Sequence, residues 1–144
     1  MDLHEHRGGC HCKNLRWTLH SALSLPHLPV RTCSCAFCRK HGLLTTSDPR
    51  GEMDFILTDR EAVIRYRFGT ETADFLMCGH CGVYVGAQME QAGHYYAIAN
   101  LRTLDSGGEL GTVQPMDYSR ESIDERRMRR VSRWTPVRLA LKFY

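Results

Sequence analysis

The cysteines restrict the fold of this chain more than any other feature, because all seven fall into three short groups. The groups are GGCHC with Cys10 and Cys12, CSCAFC with Cys33, Cys35 and Cys38, and CGHCG with Cys78 and Cys81. Thiolates two or three positions apart can converge on one ion, because a turn at that spacing brings their sulfurs together without a long loop to order. The spacing therefore predicts zinc.

Disulfides are the weaker interpretation of the same residues, since an odd number of cysteines would leave one unpaired. The N-terminus, MDLHEHRGGC, has no apolar run after a basic patch, and no stretch of the chain reaches transmembrane length. We therefore expect no signal peptide, no membrane partner and a cytoplasmic protein. Thiols stay reduced in that compartment, which favours metal binding.

The length and net charge of the chain limit the number of domains and the kinds of ligand. A chain of 144 residues with 42% hydrophobic content predicts one domain over residues 1–144, with a core of its own. The net charge of +3 permits an anionic ligand but does not require nucleic acid.

Seven cysteines divide naturally into four and three, because structural zinc has four protein ligands whereas catalytic zinc has three and an open position. The economical partition assigns a closed structural site to Cys10, Cys12, Cys78 and Cys81. It assigns an open, catalytic site to Cys33, Cys35 and Cys38. Water, a substrate thiol or a nearby side chain would take the fourth position there. Other pairings remain open, as does closure of the second site by His41 or His11.

Alternating apolar residues predict strands between these groups. Residues 14–20 place Leu15, Trp17 and Leu19 on one face. Residues 62–68 place Ala62, Ile64, Tyr66 and Phe68 inward, with Arg65 and Arg67 outward. Residues 83–89 place Val83, Val85, Ala87 and Met89 on one face, and residues 94–101 form a further strand. The CGHCG group then lies between two strands.

The C-terminal third has a helical pattern. Ser119 is the expected N-cap, with Tyr118 and Ile123 as a hydrophobic staple, and the helix should end near Arg130. We interpret the clustered arginines of RMRRVSRW as a solvated helix face, with an anionic partner or nucleic acid as the alternative. The terminal VRLALKF reads as a last strand or a segment packed on the core.

The ordered set GGCHC, CSCAFCRKHG and CGHCG resembles the glutathione-dependent formaldehyde-activating enzyme family, which includes centromere-protein-V-like members. The resemblance covers about residues 8–100. It implies a mainly β fold of the Mss4-like, or β-tent, kind, built from small antiparallel sheets held by zinc and here followed by a short C-terminal helix. It also implies the same partition of cysteines between a structural and a catalytic zinc ion.

The activity that the resemblance implies is that of a carbon–sulfur lyase or synthase, which joins formaldehyde and glutathione into S-(hydroxymethyl)glutathione or reverses that step. His41, and less so His80, are the candidates for proton transfer to the hydroxyl oxygen. Glutathione carries two carboxylates, and Arg39 and Lys40 directly follow the cysteine triplet, so we expect them to contact that ligand.

Three other functions compete with the enzyme. A non-catalytic two-zinc scaffold that binds a protein partner would be favoured if a histidine closed the second site. A nucleic-acid module would need a continuous basic face with aromatic side chains for stacking, which the strand patterns do not show. Redox chemistry at Cys78 and Cys81 is disfavoured because no βαβ pattern surrounds them.

Overall fold

The computed structural model describes residues 3–143, and within them the chain is mainly β, with a short helix near the C-terminus. The strands are β1 (His4–Gly9), β2 (Leu15–Ser21), β3 (Val30–Cys33), β4 (Thr45–Thr46), β5 (Glu52–Leu57), β6 (Val63–Tyr66), β7 (Asp74–Cys78), β8 (Tyr84–Gln91), β9 (His94–Asn100), β10 (Val113–Met116) and β11 (Thr135–Leu139). The α-helices are α1 (Ala36–His41) and α2 (Ile123–Arg133). The prediction of a mainly β fold with a short C-terminal helix is confirmed.

The strands form one open, branched sheet in the order β1-β2-β5-β11-β9-β4-β3-β10, and β8, β7 and β6 extend from β9 as a branch. Most neighbours are antiparallel. The pairs β3/β10 and β5/β11 are parallel, so the C-terminal third of the chain returns to pair with strands from the N-terminal half. None of the helices within the described residues has the length and apolar character needed to span a bilayer.

Strand β2 carries the alternation that its sequence predicts. Leu15, Trp17 and Leu19 are at most 1% exposed, because they face the main core while the intervening side chains face outward. The indole Nε1 of Trp17 donates a 2.8 Å hydrogen bond to Oγ1 of Thr103, so the polar atom of this buried ring is satisfied.

The predicted orientation of residues 62–68 is wrong at Ile64 and Tyr66, whereas Ala62 is buried and Phe68 packs against buried residues as expected. Ile64 and Tyr66 are 48% and 46% exposed, whereas Val63 packs against the main core. Two arginines on this segment instead bind buried Asp74, at 3.1 Å from Arg65 and 2.6 Å from Arg67. Within residues 3–143 strand β6 pairs with β7 alone, so it lies at the end of its branch and its outer face can stay exposed.

The single apolar face predicted for residues 83–89 is also wrong. The register between β7 and β8 shifts between Leu76 and Met77. Because an extra residue in one strand disturbs the alternation of its side chains, Val85 packs in the main core while Ala87 and Met89 pack in a second cluster. Residues 84–89 are therefore buried on both faces.

Helix α2 begins three residues later than its sequence predicts. Ser122, not Ser119, is the N-cap, and its side chain accepts a hydrogen bond from the backbone of Glu125. The Glu125 side chain accepts in turn from the backbone of Ser122, which completes a capping box. The helix ends at Arg133, and Trp134 closes it by donating from its backbone to the carbonyl of Arg130 at 2.8 Å.

Candidate metal centres and an adjoining cavity

Four cysteines from two distant turns form the first group. Cys10 and Cys12 lie in the turn between β1 and β2, whereas Cys78 ends β7 and Cys81 lies in the turn that follows it. Their four sulfur atoms all lie within 4.8 Å of one another. The second turn closes because Gly82 adopts a left-handed conformation at φ 76° and donates its backbone N–H to the carbonyl of Cys78.

The spacing of these sulfurs fits one zinc ion. Four sulfurs at ~2.3 Å from a tetrahedral ion lie about 3.8 Å apart. The Cys10 and Cys12 sulfurs are 3.7 Å apart, and those of Cys12 and Cys78 are 3.5 Å apart. The cysteines are free thiols in the structure. The donor set is therefore suited to zinc rather than to a disulfide.

Backbone amides orient these sulfurs. Sγ of Cys78 accepts hydrogen bonds from the backbone N–H groups of His80 and Cys81 at 3.3 and 3.4 Å, and Sγ of Cys10 accepts from Leu15 at 3.3 Å. Such contacts fix ligand geometry around a metal. The ring Nε2 of His80 pairs with Asp59 at 2.9 Å, which places this histidine beside the four-cysteine group.

The second group lies where β3 passes into α1. Cys33 ends the strand, Cys35 caps the helix and Cys38 lies in its first turn, and their sulfurs lie within 4.8 Å of one another. Sγ of Cys33 accepts from the backbone of Cys35, and Sγ of Cys35 accepts from the backbone of Cys38, both at 3.4 Å. Among residues 3–143, this group contains three cysteines and no histidine.

An aromatic cluster holds α1 in place. The ring of Phe37 packs against Phe68 and Phe75 with centroids 5.0 Å away, and against Tyr84 at 5.2 Å. Because Phe37 directly precedes Cys38, this packing also positions the third sulfur of the triplet. The position of the Cys38 sulfur therefore depends on tertiary packing, because a helix as short as α1 is not stable by itself.

The pKa values of the Cys33 and Cys38 thiols are shifted in opposite directions. A hydrogen bond from Cys38 lowers the pKa of the Cys33 thiol to about 5, against the opposing effect of burial, and the charge of Arg129 also lowers this pKa. The same hydrogen bond and burial raise the pKa of Cys38. A cation bound to all three sulfurs would replace the protons of these thiols, because thiolates are the metal-binding form.

The triplet opens onto a cavity of about 240 Å³. Its apolar wall is formed by Phe68, Phe75, Ile98 and Trp134, and its cationic wall by Arg31, Arg126, Arg129 and Arg130. Asp117 and Ser119 line it as well, and both are exposed, so the cavity reaches the surface. Strand β10 brings this end of the chain into place, since Met116 pairs with Cys33 in the parallel ladder.

The α2 arginines are not the wholly solvated face that the sequence predicted. Arg126, Arg129 and Arg130 project into the cavity lining, because positions i, i+3 and i+4 share one face of a helix. The sequence spacing shows that these arginines share one face of the helix. It does not show whether that face packs against the protein or faces solvent. Glu121 binds Arg129 at 2.6 Å and Arg126 at 3.4 Å, and the Arg129 guanidinium lies 3.5 Å from the centroid of the Tyr118 ring.

Two of the cavity arginines have no carboxylate partner in the described part of the chain. Arg130 is 7% exposed, donates to Oγ1 of Thr72 at 2.7 Å, and its buried Nε has no hydrogen-bond partner. Burial lowers the pKa of Arg130 to about 10, and the neighbouring charges of Arg129 and Arg126 act in the same direction. Arg31 is half-buried and donates to Oγ of Ser47 at 2.6 Å.

The other sequence-predicted site residues lie elsewhere on α1. Arg39, Lys40 and His41 are exposed in its last turn and are absent from the described lining of the cavity. The ring of His41 packs against Phe37, with centroids 4.5 Å apart, and faces Tyr84 at 5.7 Å. The ligand-binding role of Arg39 and Lys40 and the proton-transfer role of His41 stay predictions.

The hydroxyl of Tyr84 is a buried polar group near the triplet. No hydrogen-bond partner for it occurs within residues 3–143. Burial raises the pKa of Tyr84, and the charges of Cys38 and Arg130 act on it in opposite directions. This hydroxyl therefore stays protonated at neutral pH and can donate a hydrogen bond.

Comparisons with known proteins identify a family and a structure that this chain resembles. The family model for the glutathione-dependent formaldehyde-activating enzyme matches residues 5–118, which include every cysteine and strands β2–β10. A crystal structure of a Rhodobacter sphaeroides protein is similar at a TM-score of 0.56 and 24% sequence identity. The alignment covers 75% of this chain and 99% of that one, so the two share a fold.

Proposed function

The chain belongs to the glutathione-dependent formaldehyde-activating enzyme family, whose model matches more than half of its length, and on this basis we propose that it is a zinc-dependent carbon–sulfur lyase or synthase. Its substrate is a glutathione adduct, or another thiol adduct, of a small aldehyde, such as S-(hydroxymethyl)glutathione. In the forward direction a sulfur–carbon bond forms and the thiol proton ends on the aldehyde oxygen. The reverse reaction breaks that bond and regenerates the aldehyde, so no oxidant is required.

The observation that carries this proposal is the difference between the two cysteine groups. The triplet lines the cavity, whereas none of the other four cysteines lies in its described lining. Cys33, Cys35 and Cys38 would supply only three ligands to a zinc ion, which would lower the pKa of a substrate thiol so that the thiolate is available at neutral pH. The four-cysteine group would instead hold a closed, structural ion.

The residues around the triplet provide the rest of the site. Phe68 and Trp134 form part of an apolar wall of the cavity, and a ligand that displaced water from this wall would strengthen electrostatic interactions inside the site. His41, whose ring lies outside the described lining of the cavity at the exposed end of α1, is the proposed donor and acceptor of the proton that moves to and from the aldehyde oxygen. A histidine suits this role because its unperturbed pKa lies near neutrality.

An exchange measurement by NMR on the zinc-loaded protein tests the proposal. Formaldehyde and glutathione also combine without a catalyst, so the readout is the exchange rate above that of a protein-free sample. We expect the wild-type protein to raise this rate and the Cys38→Ser variant to return it to background while retaining zinc at the four-cysteine group. An equal rate in both proteins would overturn the proposed active site.

A calorimetric titration separates binding from turnover. Reduced glutathione should bind the zinc-loaded protein, and S-methylglutathione, which has no free thiol, should bind much more weakly. Equal binding of both ligands would show that the sulfur is not held by the triplet.

A further inference from the structure

Arg130 is the most unusual charged residue of the cavity. A buried cation is normally paired with a carboxylate, because leaving it unpaired in a low-dielectric environment is strongly unfavourable. The described residues give Arg130 only the hydroxyl of Thr72 and the face of Trp134, whose ring centroid lies 4.8 Å from the guanidinium carbon. Its Nε is a buried donor that has no acceptor among residues 3–143.

Arg31 provides a second guanidinium to the cavity lining, from a strand rather than from α2. It lies on β3, two residues before Cys33, and its Nη2 is held by Ser47. The Ser47 hydroxyl donates in turn to the carbonyl of Arg133 at 2.8 Å, at the end of α2. This chain of hydrogen bonds fixes the strand that carries Arg31 against the helix that carries Arg130.

The charges around the cavity do not balance. Four arginines line it, whereas the carboxylates that line it or pair with its arginines within residues 3–143 are Asp117 and Glu121. Asp117 is exposed and accepts from the backbone of Ser119 at 2.9 Å, and Glu121 is shared by Arg126 and Arg129. Arg31 and Arg130 are the pair left to receive an anion.

We propose that Arg31 and Arg130 bind a carboxylate of the thiol whose sulfur is held by the cysteine triplet, so that the protein selects carboxylate-bearing thiols over neutral ones. This inference rests on the proposed function, because the carboxylate and the sulfur belong to the same thiol ligand in the same cavity. Guanidinium groups suit this task, since their planar donors match the two oxygens of a carboxylate. Phe68 and Trp134 would contact the apolar stem between the two ends of the ligand.

Part of this subsite lies outside the family match. The match ends at residue 118, whereas Arg126, Arg129 and Arg130 lie on α2. The capping box of Ser122 and Glu125 fixes where this helix begins, and the contacts of Arg130 with Thr72 and of the Arg133 carbonyl with Ser47 attach it to the rest of the fold. The C-terminal segment therefore adds three of the four cavity arginines to the cysteine site.

Calorimetry with three thiols tests the subsite on the full-length, zinc-loaded protein. The ligands are glutathione, its diethyl ester, in which both carboxylates are masked, and 2-mercaptoethanol. We expect the wild-type protein to bind the free acid at least about tenfold more tightly than the ester, the scale of one charge-assisted hydrogen-bonded pair. The Arg130→Gln variant should lose most of this preference. The Arg127→Gln variant, which changes an exposed arginine of the same helix, should keep it.

The outcomes separate the subsite from the thiol site. Equal affinity of the wild-type protein for acid and ester, with thiol binding intact, would overturn the carboxylate subsite alone. Failure of every thiol to bind would overturn the proposed function and the subsite with it. If Arg130→Gln does not fold, the affinities of the wild-type protein and of Arg31→Gln for glutathione and its diethyl ester test the subsite. Arg31→Gln should then lose most of the preference for the free acid. Loss of the preference in Arg39→Ala but not in Arg130→Gln would assign the carboxylate to the exposed turn of α1 instead.

Discussion

The sulfur atoms of Cys12 and Cys78 lie 3.5 Å apart, although 66 positions separate the two residues in the chain. One lies in the turn after β1, and the other ends β7. In the described sheet these strands are not hydrogen-bonded neighbours, so the sulfur contact joins two parts of the sheet that backbone pairing does not. A metal ion at this point would therefore act as a long-range cross-link.

The Cys78→Ser variant tests this role. We expect it to lose one of two zinc ions and several kcal/mol of unfolding free energy, because binding to a site absent from the unfolded chain contributes directly to folding. The midpoint of thermal unfolding should fall by roughly 10 °C or more. Elemental analysis and thermal denaturation provide the two readouts.

The matched control for that experiment is Cys38→Ser. This variant should also lose one zinc ion but should lower the midpoint much less, since Cys33, Cys35 and Cys38 lie within one short segment and close only a short loop. Two retained zinc ions in Cys78→Ser, or equal destabilisation of both variants, would contradict the division into a structural and an open site.

Gly8 offers a test of packing beside the four-cysteine group. A Cβ at this position would lie 2.5 Å from the backbone oxygen of Thr103 and 2.5 Å from the ring of Trp17, and both neighbours are buried. We expect Gly8→Ala to lower the free energy of unfolding by about 2 kcal/mol, because a packed core cannot yield to the added group without strain. Urea denaturation measures the change.

Gly107 provides the comparison. It is exposed, and a Cβ there would meet nothing within 4 Å, so Gly107→Ala should change stability by less than about 0.5 kcal/mol. A Gly8→Ala protein as stable as this control would show that the approach of β1 to Trp17 is looser than the structure indicates.

Sequence reasoning was most successful where the signal was local. The spacing of Cys33, Cys35 and Cys38 places three sulfurs together whatever surrounds them, and β2 has one buried face that its alternation identifies. It failed at β6, where Ile64 and Tyr66 looked like the buried face. The position of this strand at the end of its branch and its ion pairs with Asp74 decide the orientation, and neither is visible in a short window of sequence.

The cavity was missed for the same reason. The arginines of α2 looked like a solvated face because helical spacing does not tell what the helix packs against. Pairing of β10 with β3 in parallel decides this, since it places Tyr118 and α2 next to Cys33. Arg39 and Lys40, which are adjacent to the triplet in sequence, lie on the exposed side of α1. They do not belong to the described lining of the cavity, and their contact with the ligand stays a prediction.

The helix cap provides a direct comparison of the predicted and observed starts of α2. Ser122→Ala removes the side chain that accepts from Glu125, so we expect it to lower the free energy of unfolding by about 1 kcal/mol. Ser119→Ala should cost less than about 0.5 kcal/mol, because this exposed residue lies before the helix. The reverse order in urea denaturation would place the N-cap at Ser119 after all.

The last prediction concerns proton transfer by His41. Loss of a general acid–base group typically lowers a rate by about 10²- to 10⁴-fold. We therefore expect His41→Ala to lower the catalysed exchange of glutathione and formaldehyde by about 10²-fold, with both zinc ions and glutathione affinity retained. The control is His94→Ala, which changes an exposed histidine at the start of β9 and should leave the rate unchanged. Full turnover of His41→Ala with its zinc content intact would remove this residue from the mechanism and direct the search for the proton donor to the buried hydroxyl of Tyr84.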